Sequence, residues 1–212
     1  MRQPSVALTG RFLLACLLLG LCVHPALAQA PAATSRPAGP SVQFADAGLS
    51  AGDREVLARA AQQVARWAMV QRVVQAVKAQ ESAPPAMERV RAIDEAWQRG
   101  EDPEGLATSL AKNDCAQALQ TLMAANPGYG GAFVTDHQGA LVCMTERTDD
   151  YFQGDEEPFT GAYAGGTGAL FVSKSERDAA SGLDMVTISA PIRSAGQVIG
   201  VLAVERLSAP SG

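Results

Sequence analysis

The spacing of the inward-facing residues changes at Gly128, and that change limits the folds open to this chain. Before it, Val56, Ala60, Val64, Trp67, Gln71, Val74 and Val77 recur at intervals of three and four, which places them on one face of a helix, with Arg54, Gln62, Arg66 and Lys78 mostly elsewhere. Ser50 followed by Asp53 is a plausible start for that helix and Pro84-Pro85 stops it. A second helix is expected from Ala86 to Arg99, with Val90, Ile93 and Trp97 inward and Gly100 as its end signal. A third helical region, Pro103 to Ala125, is interrupted near Asn113-Asp114 and closed by Asn126-Pro127-Gly128.

Beyond Gly128 the pattern is that of strands. Gly131 to Thr135 and Ala140 to Thr145 flank Asp136-His137-Gln138-Gly139, a hairpin turn with glycine where positive φ is easiest. Three more strands are expected over Ala169 to Lys174, Met185 to Ile192 and Val198 to Glu205, the last two joined by the turn Arg193 to Gln197. Helices first and strands afterwards make an α+β fold, with a long N-terminal helix from Gly52 to Gln80 and a helical region on a sheet of about five antiparallel strands. A 47% hydrophobic content excludes wholesale disorder.

The first 28 residues read as an address. Arg2 and Arg11 precede an apolar run from Phe12 to Val23, and Ala26-Leu27-Ala28 follows it, the layout of a secretory signal peptide. The run is too short to span a bilayer, which takes about 20 residues as a helix. Cleavage is expected after Ala28, giving a soluble periplasmic or secreted product. Residues 29–48, rich in Ala, Pro, Ser and Gly, read as a flexible leader, 49–208 as a single domain and 209–212 as a tail. The formal charge of −5 becomes more negative once Arg2 and Arg11 leave, which excludes nucleic acid as a partner.

Cleavage would leave two of the four cysteines, Cys115 and Cys143. No C-x-x-C pair exists, so zinc knuckles, thioredoxin-type redox chemistry and covalent haem attachment lack their marker, and no cofactor is expected. In an oxidising compartment the two thiols can pair, or pack separately as small hydrophobes. Of the two histidines, His24 leaves with the signal peptide and His137 lies in a turn.

The polar stretch from Thr145 to Phe159 carries six acids, one Arg and aromatics between two strands. It reads either as a solvated acidic loop or as the wall of a pocket for a polar small molecule. The hairpin Phe133 to Gly139, the run Thr148-Asp149-Asp150-Tyr151-Phe152-Gln153-Gly154-Asp155-Glu156, and Ile188-Ser189-Ala190-Pro191-Ile192 ahead of Gly196 to Leu202 together resemble an extracytoplasmic Cache domain, a family also called PDC or periplasmic PAS-like sensor domains. The resemblance covers Gly52 to Leu207 and implies a small-molecule pocket between the sheet and the loop–helix region after its second strand. Family members usually continue into a transmembrane helix and a signalling module, whereas this chain stops at Ser211-Gly212, so output is expected through a separate membrane-bound partner.

On this reading Arg147, Thr148, Asp149, Tyr151, Gln153 and Asp155 form the ligand site. Arg147 would hold a carboxylate by a two-pronged hydrogen bond, and Asp149 or Asp155 an ammonium group, which suits an amino acid; Arg147 alone would suit an organic acid. Two other readings compete: a protein-interaction module docking through the helix from Gly52 to Gln80, or a divalent-cation site among the acids, although their spacing is not that of a calcium loop. Catalysis is not expected. The serines lack a nucleophile-elbow context, and glycine-rich Gly165-Gly166-Thr167-Gly168 leads into a strand, without the helix start of a phosphate cradle.

Overall fold

The computed structural model describes residues 41–177 and 182–208. The expected signal peptide and cleavage site, most of the expected leader and the expected tail lie outside the described residues. Among the described residues six helices and seven strands are arranged as α+β: β1 (Val42–Phe44), α1 (Ala51–Ala68), α2 (Gln71–Glu81), α3 (Met87–Gln98), α4 (Leu106–Lys112), α5 (Asp114–Ala124), β2 (Tyr129–Asp136), β3 (Leu141–Met144), α6 (Glu157–Tyr163), β4 (Leu170–Val172), β5 (Glu176–Arg177), β6 (Asp184–Ser194) and β7 (Gln197–Leu207). The sheet runs β1-β4-β6-β7-β2-β3, with β5 paired to β6. All pairings are antiparallel except that of β1 with β4.

Three expectations change. The leader is not without structure throughout, because Val42–Phe44 forms β1 beside Leu170–Val172. The sheet has seven strands, the additions being β1 and the two-residue β5. The long first helix is two helices. Met69 ends α1 by donating its N–H to the Arg66 carbonyl, and Val70, in extended conformation, starts α2. The break resets the helical phase, so Val73 and Val77 are buried while Gln71 is exposed.

Ser50 caps α1 by accepting the Asp53 N–H at 3.1 Å. From α1 the side chains of Leu57, Ala61, Val64 and Trp67 enter a core completed by Val73 and Val77 of α2, Leu119 of α5, and Val134, Ile188, Ala190, Leu202 and Val204 of the sheet. Cys115 of α5 and Cys143 of β3 are joined by a disulfide in this core, their Cα atoms 6.0 Å apart. A smaller apolar cluster gathers Val90 and Trp97 of α3, Leu110 of α4, and Leu141, Met144 and Tyr151 at the β3 edge of the sheet. A third lies under α6, where Phe159 and Ala162 pack on Phe171 and Val201.

Candidate ligand-binding cavity

The hairpin between β2 and β3 sets the position of everything that follows. Asp136 is fully buried, and its Oδ1 accepts the N–H groups of Gln138 at 2.9 Å and Ala140 at 3.0 Å, closing the turn. His137 does not stand free in that turn, since its Nδ1 lies 2.5 Å from Glu81 Oε1 at the end of α2. After β3 the polar loop folds back along the hairpin. Gln153 donates its N–H to the Gly139 carbonyl at 2.8 Å, Leu141 donates to the Tyr151 carbonyl at 3.3 Å, and Ala140 bridges Phe152. Gly139 permits this approach: its φ is 95°, and a Cβ there would lie 2.3 Å from the Gly154 Cα.

Helix α3 fastens the loop from the other side. Asp94 Oδ1 accepts the N–H groups of Tyr151 at 2.8 Å and Phe152 at 2.9 Å. The Trp97 indole N–H donates to the Thr148 carbonyl at 2.8 Å. Arg147 donates to the carbonyls of Trp97 at 3.2 Å and Glu101 at 2.7 Å, with its guanidinium 4.2 Å from the centre of the Trp97 ring. These contacts reach across about fifty residues of sequence, and they place Tyr151 against Trp97 with ring centres 5.8 Å apart.

A cavity of about 830 Å³ opens between the end of α2, α3, the turn Pro103–Gly105 and α4. Tyr151 and Gln80 supply its polar lining from the sheet side, Ile93, Ala96 and Leu106 supply apolar walls, and Arg89, Glu101 and Glu104 carry the charge. Gln80 is itself positioned by Asp136, whose Oδ2 accepts its amide at 2.7 Å. Burial, then the Asp136 charge, pushes the Tyr151 hydroxyl up to about 12, against the opposing pull of Arg89. It is therefore a neutral phenol over the physiological range, able to donate a hydrogen bond into the cavity, and no described residue is bonded to it. A smaller cavity of about 450 Å³ lies beyond Gln80, lined by Arg72, Asn113 and the disulfide's Cys115.

The six residues expected to form one site do not converge. Tyr151 alone lines the cavity. Arg147 is committed to the carbonyls at the end of α3, so it is not a free carboxylate clamp. The Thr148 hydroxyl and the buried Gln153 amide both donate to the Asp150 carbonyl, at 2.7 and 2.8 Å, and so shape the loop. Asp149 and Asp155 are exposed. The pocket itself lies at the β3 edge, whereas the space between sheet and α6 is packed with Phe159, Ala162, Phe171 and Val201.

Among the described residues no three of His, Cys, Asp and Glu come together as a metal site. The acids of the loop repel instead: partial burial, then Asp155, Asp150 and Glu176, raises the Glu156 carboxyl above its ordinary range. Arg89, Gln80 and Glu104 were not anticipated as site residues. One signal for Arg89 was available, because Arg89, Ala92, Ile93 and Ala96 form a second stripe at helical spacing beside the buried one, and its small residues leave room.

No family model and no curated protein matches the chain. Solved structures do. The ligand-binding domain of the Pseudomonas aeruginosa amino acid chemoreceptor PctC, in complex with GABA, is 24% identical over 57% of this chain and 60% of its own, with a TM-score of 0.34. The sensory domain of the Campylobacter jejuni chemoreceptor Tlp3, with isoleucine bound, is 15% identical over 76% of this chain and 64% of its own, at 0.37. The sensor domain of the Vibrio cholerae histidine kinase DctB is 10% identical over 73% and 51%, at 0.35. These three are ligand-binding or sensor domains. Each match spans less than two thirds of the other chain, and at these values the likeness assigns no ligand, partner or activity here. No helix among the described residues is long and apolar enough to cross a membrane.

Proposed function

We propose that the chain is an exported, Cache-like sensing module that takes a small polar metabolite into the cavity beneath α3 and passes the signal to a membrane-bound partner. The cavity carries this reading. Its size, apolar walls and few directed polar groups are those of a small-molecule site. Export rests on the pattern of the first 28 residues, and sensing on the resemblance of the hairpin, loop and final strands to Cache domains. Helix α3 forms one wall of the cavity and also holds the loop through Asp94 and Trp97, so a ligand that moves α3 would move the loop with it. The reading is one of binding, with no catalytic role given to any residue.

A panel of amino acids and organic acids in a thermal-shift assay tests it. Binding at 100 times the dissociation constant stabilises by about 2.7 kcal/mol, a shift that is easily detected. The shift should shrink or vanish in Ala92→Trp, which places a bulky ring in the cavity from an exposed position on α3 and leaves the core alone. A panel without any hit, or a hit unaffected by Ala92→Trp, removes the cavity as the site.

A further inference from the structure

We propose that this cavity takes a carboxylate, held by Arg89 in exchange for Glu104. The inference rests on reading the cavity as a ligand site and adds the class of ligand and the residue that selects it. Arg89 is the one cation among the residues that line the cavity. It faces two acids there, and they are not equivalent. Glu101 is engaged by Arg99, Nε to Oε1 at 2.8 Å, with a second contact at 3.4 Å. Glu104 pairs with Arg89 itself, at 3.3 Å and through a single contact.

Three features make that second pair exchangeable. Its side chains are 62% and 79% exposed, and an ion pair so well solvated adds little stability, so water and salt already compete for it. Its single contact leaves the guanidinium fork half used, whereas a ligand carboxylate can take both prongs. The acid also comes from a strained turn: Glu104 sits at φ 57°, ψ 21° between Pro103 and Gly105, a left-handed conformation unfavourable to a side chain with a Cβ. Nothing else among the described residues ion-pairs with Glu104, so its side chain can leave Arg89 without breaking a second ion pair, while Asp102 keeps the turn closed. Glu104 is thus an internal stand-in for a ligand's carboxylate. The neutral Tyr151 hydroxyl offers a further donor, and Ile93, Ala96 and Leu106 receive an apolar body.

Isothermal calorimetry on the full chain decides the matter with two probes of one shape, 4-methylpentanoate and 4-methylpentanamide. The acid should bind about tenfold or more tightly than the amide, the order of one charge-assisted contact. Glu104→Gln should tighten the acid severalfold and leave the amide unchanged, because it removes the competitor and not the anchor. Arg89→Gln should bring the acid down to the level of the amide. Equal binding of acid and amide to the wild type, or an acid preference that survives Arg89→Gln, overturns the proposal; if Ala92→Trp still blocks both probes in that case, the cavity stands and only the carboxylate claim falls. Acid and amide binding that are both untouched by Ala92→Trp, or absent altogether, overturn the proposal together with the reading of the cavity. Arg89 and Glu104 are both surface side chains, so neither substitution threatens the fold.

Discussion

The two helical layers of this domain are held to the sheet by different forces. Beneath α1, α2 and α5 the contact is mainly apolar: Val64, Val77, Leu119, Val134, Ile188 and Leu202 are all fully buried, and the polar links of Gln80 and Glu81 sit only at the far end of α2. At the β3 edge, α3 has a small apolar cluster of its own, but its join to the loop runs through Asp94, the Trp97 indole and Arg147. Apolar burial is shared among many side chains, and losing one weakens the whole layer. A few directed hydrogen bonds behave otherwise, since losing one opens a local seam. On the proposed function, the layer that admits a ligand is the one built with seams, as ligand-binding segments tend to come from the less stable parts of a fold.

The strongest test of this contrast is Ile188→Ala, in the middle of β6 and against α1. Deleting a fully buried branched side chain should cost about 2–5 kcal/mol. The loss should be global, so amide protection falls together in β6, β7 and α1 as measured by hydrogen exchange. A loss confined to β6 would show that the apolar layer does not act as one unit.

Asp94→Ala is the counterpart on the other layer and has a smaller expected effect. Its carboxylate receives two backbone N–H groups at one oxygen, and because both can turn to water when it goes, the loss should be about 1.5–3 kcal/mol in all, the order of one hydrogen bond to a charged group. Exchange should accelerate at Tyr151 and Phe152 while the amides of β6 keep their protection. A uniform loss across the sheet would instead place Asp94 in the same cooperative unit as Ile188, and the contrast would collapse.

The same division explains what could be read in advance. Burial leaves a period in the sequence, so the helices, the turn at Asp136 to Gly139, the five main strands and the interruption at Asn113 were legible. Strand β1 was not, because three residues in a Pro- and Ala-rich stretch carry no period, and their partner is Leu170–Val172, far along the chain. The break at Met69 has no glycine or proline to announce it. In the loop, composition showed charge without showing what consumes it. Arg147 spends its donors on carbonyls of residues 97 and 101, and a backbone carbonyl looks the same at every position of a sequence. Arg89, by contrast, is marked only by the small residues at helical spacing beside it, and the wall opposite it comes from α4 and the turn before it.

The smallest effect at neutral pH, and the sharpest local probe, belongs to Tyr151. Its hydroxyl meets the cavity and no described residue hydrogen-bonds it, so Tyr151→Phe removes little that holds the fold. Its ionisation is another matter. Burial and the nearby Asp136 carboxylate push the hydroxyl up to about 12, whereas an unfolded tyrosine titrates near about 10. Between those values the folded chain keeps a proton that the unfolded chain gives up. The stabilisation is therefore complete below pH about 10 and is lost as pH rises towards about 12. Absorbance near 295 nm should show one of the three tyrosines ionising late, and Tyr151→Phe should remove that late component. If alkaline unfolding comes first, the late component merges with it, and the substitution should then move the unfolding midpoint to higher pH. Three tyrosines titrating together near pH 10 in the folded protein would mean that water reaches the Tyr151 hydroxyl freely. In that case the polar seam along α3 stands open even without a ligand.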